Sequence, residues 1–154
     1  MGLQSALKKQ HPFDTPEEEV SLNILRTNDT LQAGFAKLFK EHGISSPLYN
    51  VLRILRGEGA PLPCLEVAGR MVTRVPDITR LVDRLEILGL VARKRTDDDR
   101  RVVLIAITEA GLTLLANLEN PVRDLHRRQL GHLSPDEMAT LNHLLVKARQ
   151  NEQP

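Results

Sequence analysis

Apolar residues recur along this chain at helical spacing in six stretches, interrupted once by two short runs of strand character. The first stretch carries Val20, Ile24, Leu31, Phe35, Leu38 and Phe39. Thr15 is a cap, Pro16 suits a first helical turn, and Glu18 completes a capping box. Glu17–Glu19 favour the positive end of the helix dipole. The pattern predicts a helix running to His42 and ending at Gly43. Its length suggests that one end packs on a second subunit. Residues 1–14 are mixed and polar, and are expected to be loosely ordered or to pack on a partner subunit. A second helix starts at Ser46-Pro47, turns Leu48, Val51, Leu52 and Leu55 inward, and stops in Gly57-Glu58-Gly59. Pro61 and Pro63 make a stiff connection to a short third helix, Cys64 to Met71. That helix is expected to bury Leu65 and Ala68, with Val67 a further candidate.

The fourth helix has the clearest two-faced pattern. Ile78, Leu81, Val82, Leu85 and Leu88 share one side, Thr79, Arg80, Asp83 and Arg84 the other, and Gly89 stops it. Apolar runs follow around Leu90–Ala92 and Val102–Ile107. Between them stand Arg93, Lys94, Arg95, Thr96, Asp97–Asp99, Arg100 and Arg101, which predicts a β-hairpin with a charged tip. Thr108 then caps a fifth helix with a stripe of Leu112, Leu115, Leu118, Val122 and Leu125. Pro121 lies inside that stripe and predicts a kink, or alternatively two helices with a break. Ser134, Pro135 and Glu137 open the last helix with a capping box, and it carries Met138, Leu141, Leu144, Leu145 and Ala148. The expected order is α-α-α-α-β-β-α-α: mainly α, a winged helix-turn-helix with a helical dimerisation region drawn from both termini.

Composition adds little except in its distribution. Aromatic residues are 3% of the 154, so the core must be aliphatic. The net charge of +1 points to no partner. However, residues 70–101 hold nine Lys/Arg against six Asp/Glu, while the remainder holds 12 against 14. Positive charge is therefore concentrated on the fourth helix and hairpin, where a nucleic-acid footprint would lie. One cysteine, Cys64, excludes an intramolecular disulfide framework. No apolar run spans a membrane and no basic-then-apolar leader opens the chain, so a cytoplasmic setting is expected.

Other chemistries find plainer explanations. Asp97–Asp99 lack the alternation, glycine and distant glutamate of a calcium loop, which favours a solvated turn with one bracing acid. His11, His42, His126, His132 and His143 include no helical pair four apart. Convergence of His42, His126 and His143 in space remains open, with surface or interface histidines the plainer expectation. Cys64 is either a redox sensor or, as preferred, a partly buried structural thiol. No nucleophile elbow, phosphate loop or paired metal motif indicates an enzyme, and no cofactor or metal is expected. A dimeric adaptor that binds protein instead of DNA is a further class.

The segments I-T-R-L-V-D-R-L-E-I-L-G-L-V at 78–91, D-R-R-V-V-L-I-A-I-T-E-A-G at 99–111 and L-S-P-D-E at 133–137 resemble the multiple-antibiotic-resistance regulator (MarR) family of bacterial transcription factors. The resemblance extends over most of residues 20–149. It implies a homodimer formed by the first, fifth and sixth helices, with residues 15–45 and 109–150 for dimerisation and 46–108 for DNA binding. It also implies repression of a palindromic operator, relieved by a small-molecule effector, with cysteine oxidation or metal response as alternatives. By motif, Arg101 matches the wing arginine that enters the minor groove and Asp99 the acid that braces it. Asp83 and Arg84 match the D-R pair of the recognition helix. Arg74, Lys94 and Arg95 are expected on DNA phosphates, and Asp77, Thr79 and Arg80 at base edges, with Arg84 and Arg100 also at the DNA. A ligand pocket is expected near Phe35, Phe39, Tyr49 and Leu112. Two departures stand out: R-V-P-D at 74–77 occupies a place where small hydroxyl residues are common, and Pro63 replaces a hydroxyl cap.

Overall fold

The computed structural model describes residues 2–96 and 102–150. Its elements are α1 (Leu3–Ala6), α2 (Pro16–Glu41), α3 (Ser46–Glu58), β1 (Leu62–Pro63), α4 (Cys64–Gly69), α5 (Ile78–Ile87), β2 (Val91–Arg95), β3 (Val103–Ile107), α6 (Glu109–Leu130) and α7 (Pro135–Arg149). The fold is mainly helical, with one antiparallel sheet of order β1-β3-β2.

Local chemistry accounts for most boundaries. Thr15 caps α2 by accepting from the Glu18 N–H at 3.2 Å. The return arm differs from expectation, because the Glu18 carboxylate accepts from Asp14 N–H at 2.9 Å. Ser134 and Glu137 do form a full capping box at α7. Gly89 follows α5 with φ +71°, and this left-handed turn lets Leu90 N–H reach the Leu85 carbonyl at 2.9 Å.

Two elements were not anticipated. Leu3 is buried on the short α1, inside a segment expected to be loose. The Pro61–Pro63 connection contains β1, where Leu62 lies opposite Ile105 and Pro63 opposite Leu104. Strand β1 is an edge, so proline is tolerated there. The third helix also ends earlier, at Gly69, and turns differently. Val67 is fully buried, whereas Leu65 is 83% exposed, reversing the expected inner face. Leu88 caps α5 and is exposed, so the inner face of that helix rests on Val82 and Leu85.

Helix α6 runs unbroken through Pro121, which overturns the two-helix alternative. A proline inside a helix costs about 3 kcal/mol. Leu115 and Leu118 before it, and Val122 and Leu125 after it, are all buried. Each such side chain contributes about 1.5–3 kcal/mol. Burial on both flanks therefore outweighs the lost hydrogen bond, and Asn117, whose carbonyl is freed, is exposed to water.

The core joins α3 (Val51, Leu52, Leu55) to α4, α5, the sheet and α6 (Leu115, Leu118, Val122). Helix α7 contributes nothing to it and buries none of its residues. Leu141 and Leu144 on α7, and Val20, Ile24 and Leu25 on α2, are exposed. A groove of about 710 Å³ lies between the start of α2 and the end of α7, with Val20, Ile24, Leu25, Leu145 and Ala148 in its wall. Among the described residues no helix is long and apolar enough to cross a membrane.

Candidate nucleic-acid interface

Helix α5 is held from behind by Val82 and Leu85, which leaves Thr79, Arg80, Asp83 and Arg84 on its solvent side. The turn before it is fixed by Asn50, a buried residue of α3 whose Oδ1 accepts from Val72 N–H at 2.8 Å. Arg74 in this turn is exposed. Asp77 is the N-cap of α5, and its carboxylate accepts from Arg80 N–H at 3.2 Å. One carboxylate oxygen is thus committed to the helix, a structural role that the residue pattern alone did not assign to Asp77.

The wing begins earlier than its apolar run suggested. Arg93, Lys94 and Arg95 were expected at the charged tip but lie within β2, opposite Ile105, Leu104 and Val103. Backbone pairing pulls them in, since β3 continues apolar as far as Val103 and supplies the ladder. Thr96 N–H extends the pairing to the Val102 carbonyl at 3.5 Å. Asp97–Asp99, Arg100 and Arg101 lie outside the described residues.

Strand alternation then puts Arg93 and Lys94 on opposite sides of β2. Arg93 shares the side of Val91 and turns toward α5, where it donates to Asp83 and, at 3.0 Å, to Glu86. The hydrogen bond with Asp83 is the leading reason its pKa is raised above the usual guanidinium value. Asp83, expected as a bracing residue, therefore ties the recognition helix to the wing strand. Arg93 and Glu86 were missed; the signal for them was the i, i+2 alternation, legible only once the strand is extended through Arg95. Lys94 turns to the opposite side.

A second tie joins the hairpin to α6. Thr108 caps α6 by accepting from Gly111 N–H at 3.2 Å, and its hydroxyl donates to the Gly89 carbonyl at 2.7 Å. A Cβ on Gly111 would lie 2.4 Å from the Leu90 carbonyl oxygen, so glycine allows this close approach.

The residues expected at an effector pocket separate into two places. Phe35, Phe39 and Tyr49 form a stack, with centroids 5.8 Å apart for Phe35–Phe39 and 4.4 Å for Phe39–Tyr49. His126 of α6 joins it, 4.8 Å from the Phe35 ring. Leu112 is not in this cluster; it lines a cleft of about 250 Å³ with Leu55, Pro61, Lys94 and Ile107. His42 bonds through Nδ1 to the Leu38 carbonyl at 3.0 Å. Among the described residues no group of three His, Cys, Asp or Glu is placed to hold a metal ion. Cys64 is half-buried, and burial pushes its thiol pKa up, although nearby Arg93 pulls the other way.

A short helix, a turn and an exposed second helix, followed by an antiparallel hairpin, define a winged-helix DNA-binding protein. The MarR family model matches residues 44–103. A MarR transcription factor from Planctomyces limnophilus has a crystal structure that is 44% identical, covers 87% of this chain and 98% of that one, and superposes with a TM-score of 0.68. A mutant MarR from E. coli, complexed with operator DNA, is 27% identical over 84% of this chain and 92% of its own, with a TM-score of 0.76. The homoprotocatechuate degradative operon repressor of Escherichia coli is 23% identical, over 83% of this chain and 86% of its own length. The chain belongs to the MarR family of transcriptional regulators, which are DNA-binding proteins and not enzymes.

Proposed function

We propose that this protein is a homodimeric repressor that binds a palindromic operator in the cytoplasm and leaves it when a small organic effector binds. The carrying observation is α5: its outer side presents Thr79, Arg80 and Arg84, and Arg93 ties it to the wing. A helix so held enters a major groove as one body with its hairpin. Arg74 and Arg95 are exposed beside it and suit phosphate contacts, with Lys94 at the root of the wing. Arg100 and Arg101 are assigned to the DNA, and Asp99 to bracing Arg101, by sequence pattern alone. Asp77 serves chiefly as the cap of α5, through the Arg80 backbone N–H, and base contacts are assigned to Thr79 and Arg80.

Dimerisation through residues 15–45 and 109–150 is supported by the exposed apolar faces of α2 and α7. Two recognition helices on one face would meet successive major grooves about 34–36 Å apart. The relatives include a named operon repressor and a protein complexed with operator DNA, which supports repression at an operator. Release by a ligand is favoured over oxidation because the Cys64 thiol is shifted away from the reactive thiolate.

Selection of duplexes from a random pool by the purified protein tests the reading. An enriched inverted repeat is expected, bound with strong salt dependence. Arg101→Ala should weaken that binding severely while the protein stays folded. No enrichment, or full affinity in the folded variant, would remove the operator or the wing from this account.

A further inference from the structure

We propose that Gln129 and Gly34 form the joint between α6 and α2 that fixes how far apart the two recognition helices stand, which makes Gln129 a positioning residue for operator recognition. The proposal rests on the reading of a homodimer on an operator of two half-sites. Gln129, near the end of α6, donates from Nε2 to the Leu31 carbonyl of α2 at 3.0 Å, and the bond is half-buried. A carbonyl oxygen has two lone pairs, so this bond adds to the backbone ladder of α2 without displacing it. Gly34 makes room for it. A Cβ there would stand 2.7 Å from Gln129 Nε2 and 3.4 Å from Leu125 Cδ1. Next to Gly34, the Phe35 ring packs 4.8 Å from His126. Leu31, Gly34 and Phe35 of α2 thus meet Gln129, Leu125 and His126 of α6 in one antiparallel contact. Hydrocarbon and rings alone would let the helices slide or rotate, whereas a directional bond to a backbone atom fixes both.

The other end of α6 is fixed to the reading helix. Gly111 lies against the Leu90 carbonyl and Thr108 donates to the Gly89 carbonyl, both just beyond α5. Helix α5 and the start of α6 therefore move together. Gly111 and Gln129 stand on one unbroken helix, about 27 Å apart at about 1.5 Å per residue. A tilt of roughly 7° at the Gln129 joint would carry α5 by about 3.4 Å, one base-pair step. The apolar faces proposed for dimerisation belong to α2 and α7, so the angle between α2 and α6 sets where each α5 stands relative to that of the partner.

The test compares the full-length protein with Gln129→Met and Gly34→Ala. The first keeps the side chain's length and removes its donor. The second adds a Cβ that displaces the Gln129 amide, yet it should melt no lower than the wild type, because alanine is the better helix former. Spin labels on Ile87→Cys in a Cys64→Ser background report the distance between the two α5 helices without DNA; Ile87 is 77% exposed at the end of α5. One narrow distance is expected in the parent, shifted or broadened by about 3.4 Å or more in both variants. In a second arm, operators selected by the wild type are rebuilt with half-sites one and two base pairs closer or further apart. The wild type should prefer the selected spacing, and both variants should lose about tenfold of that preference. Affinity for an isolated half-site should not change, since Thr79 and Arg80 are untouched. Wild-type distances and spacing preference in Gln129→Met would overturn the joint. Affinity lost equally at every spacing, together with a lower melting temperature, would make Gln129 merely structural and overturn it too. If no duplex is selected, the operator reading fails and the label distances still decide the joint. If the parent's labels show no partner at all, the dimer and the joint fall together.

Discussion

Arg93 on β2 donates to Asp83 on α5, and the same guanidinium reaches Glu86 one turn further along the helix. One side chain thereby sets the angle between the helix proposed to read bases and the strand that leads to the wing. The Arg93 side chain is 32% exposed and that of Asp83 52%, so the pair adds little to stability, below about 1 kcal/mol. Its value lies in geometry.

Arg93→Met should therefore leave the thermal midpoint nearly unchanged while lowering specific DNA affinity about tenfold, or ~1.4 kcal/mol. Arg93→Lys should fall between, because ammonium cannot bond both acids with the guanidinium fork. Combined with Asp83→Asn, the loss should be less than additive. Anisotropy titrations and melting curves together check this; wild-type affinity in Arg93→Met would show that the tie does not position the wing.

Gly111→Ala should destabilise the fold by about 1–3 kcal/mol, since the new Cβ would press on the Leu90 carbonyl and on Ile107 Cγ1, 2.7 Å away. Thr108→Ala removes a cap and the bond to Gly89, and should cost about 1–2 kcal/mol. Urea unfolding measures both. A Gly111→Ala protein as stable as the wild type would mean that α6 shifts freely against the hairpin.

The Cys64 thiol, raised by burial, holds less thiolate at neutral pH than an ordinary cysteine. Alkylation by iodoacetamide should be slower in the folded protein than in urea, and should accelerate only as pH rises above the usual thiol range. A raised folded pKa also means a stability contribution present below the unfolded pKa and lost as pH climbs through the folded one. Peroxide should release neither Cys64→Ser nor wild type from DNA. Release of the wild type alone would establish a redox switch instead.

Leu25→Glu and Leu144→Glu place a charge on exposed apolar faces of α2 and α7. Each should convert a sedimenting dimer to monomer, with helical content retained because neither residue belongs to the core. A dimer in both variants would move the interface elsewhere.

Much of this protein was legible in the order of its residues. Thr15-Pro16, Ser134-Pro135 and Gly89 announce helix ends because capping is a local act between residues a few positions apart. The inner faces of α3 and α5 follow from spacing, since Val51, Leu52, Val82 and Leu85 must leave water together. The positive stretch is equally visible as composition. What the order of residues left open depends on partners distant in sequence. Leu65 and Val67 compete for one inner face, and the turn of α4 against α5 buries Val67. Arg93 belongs to the ladder because β3 stands beside it, and only then does alternation aim it at Asp83. Pro121 stays in a helix because buried residues on both flanks hold it. Leu112 is parted from Phe35, Phe39 and Tyr49 by which side of α6 each region meets. Local hydrogen bonds and periodicity act within a few residues, whereas strand neighbours, helix rotation and cleft walls are settled only when remote segments pack.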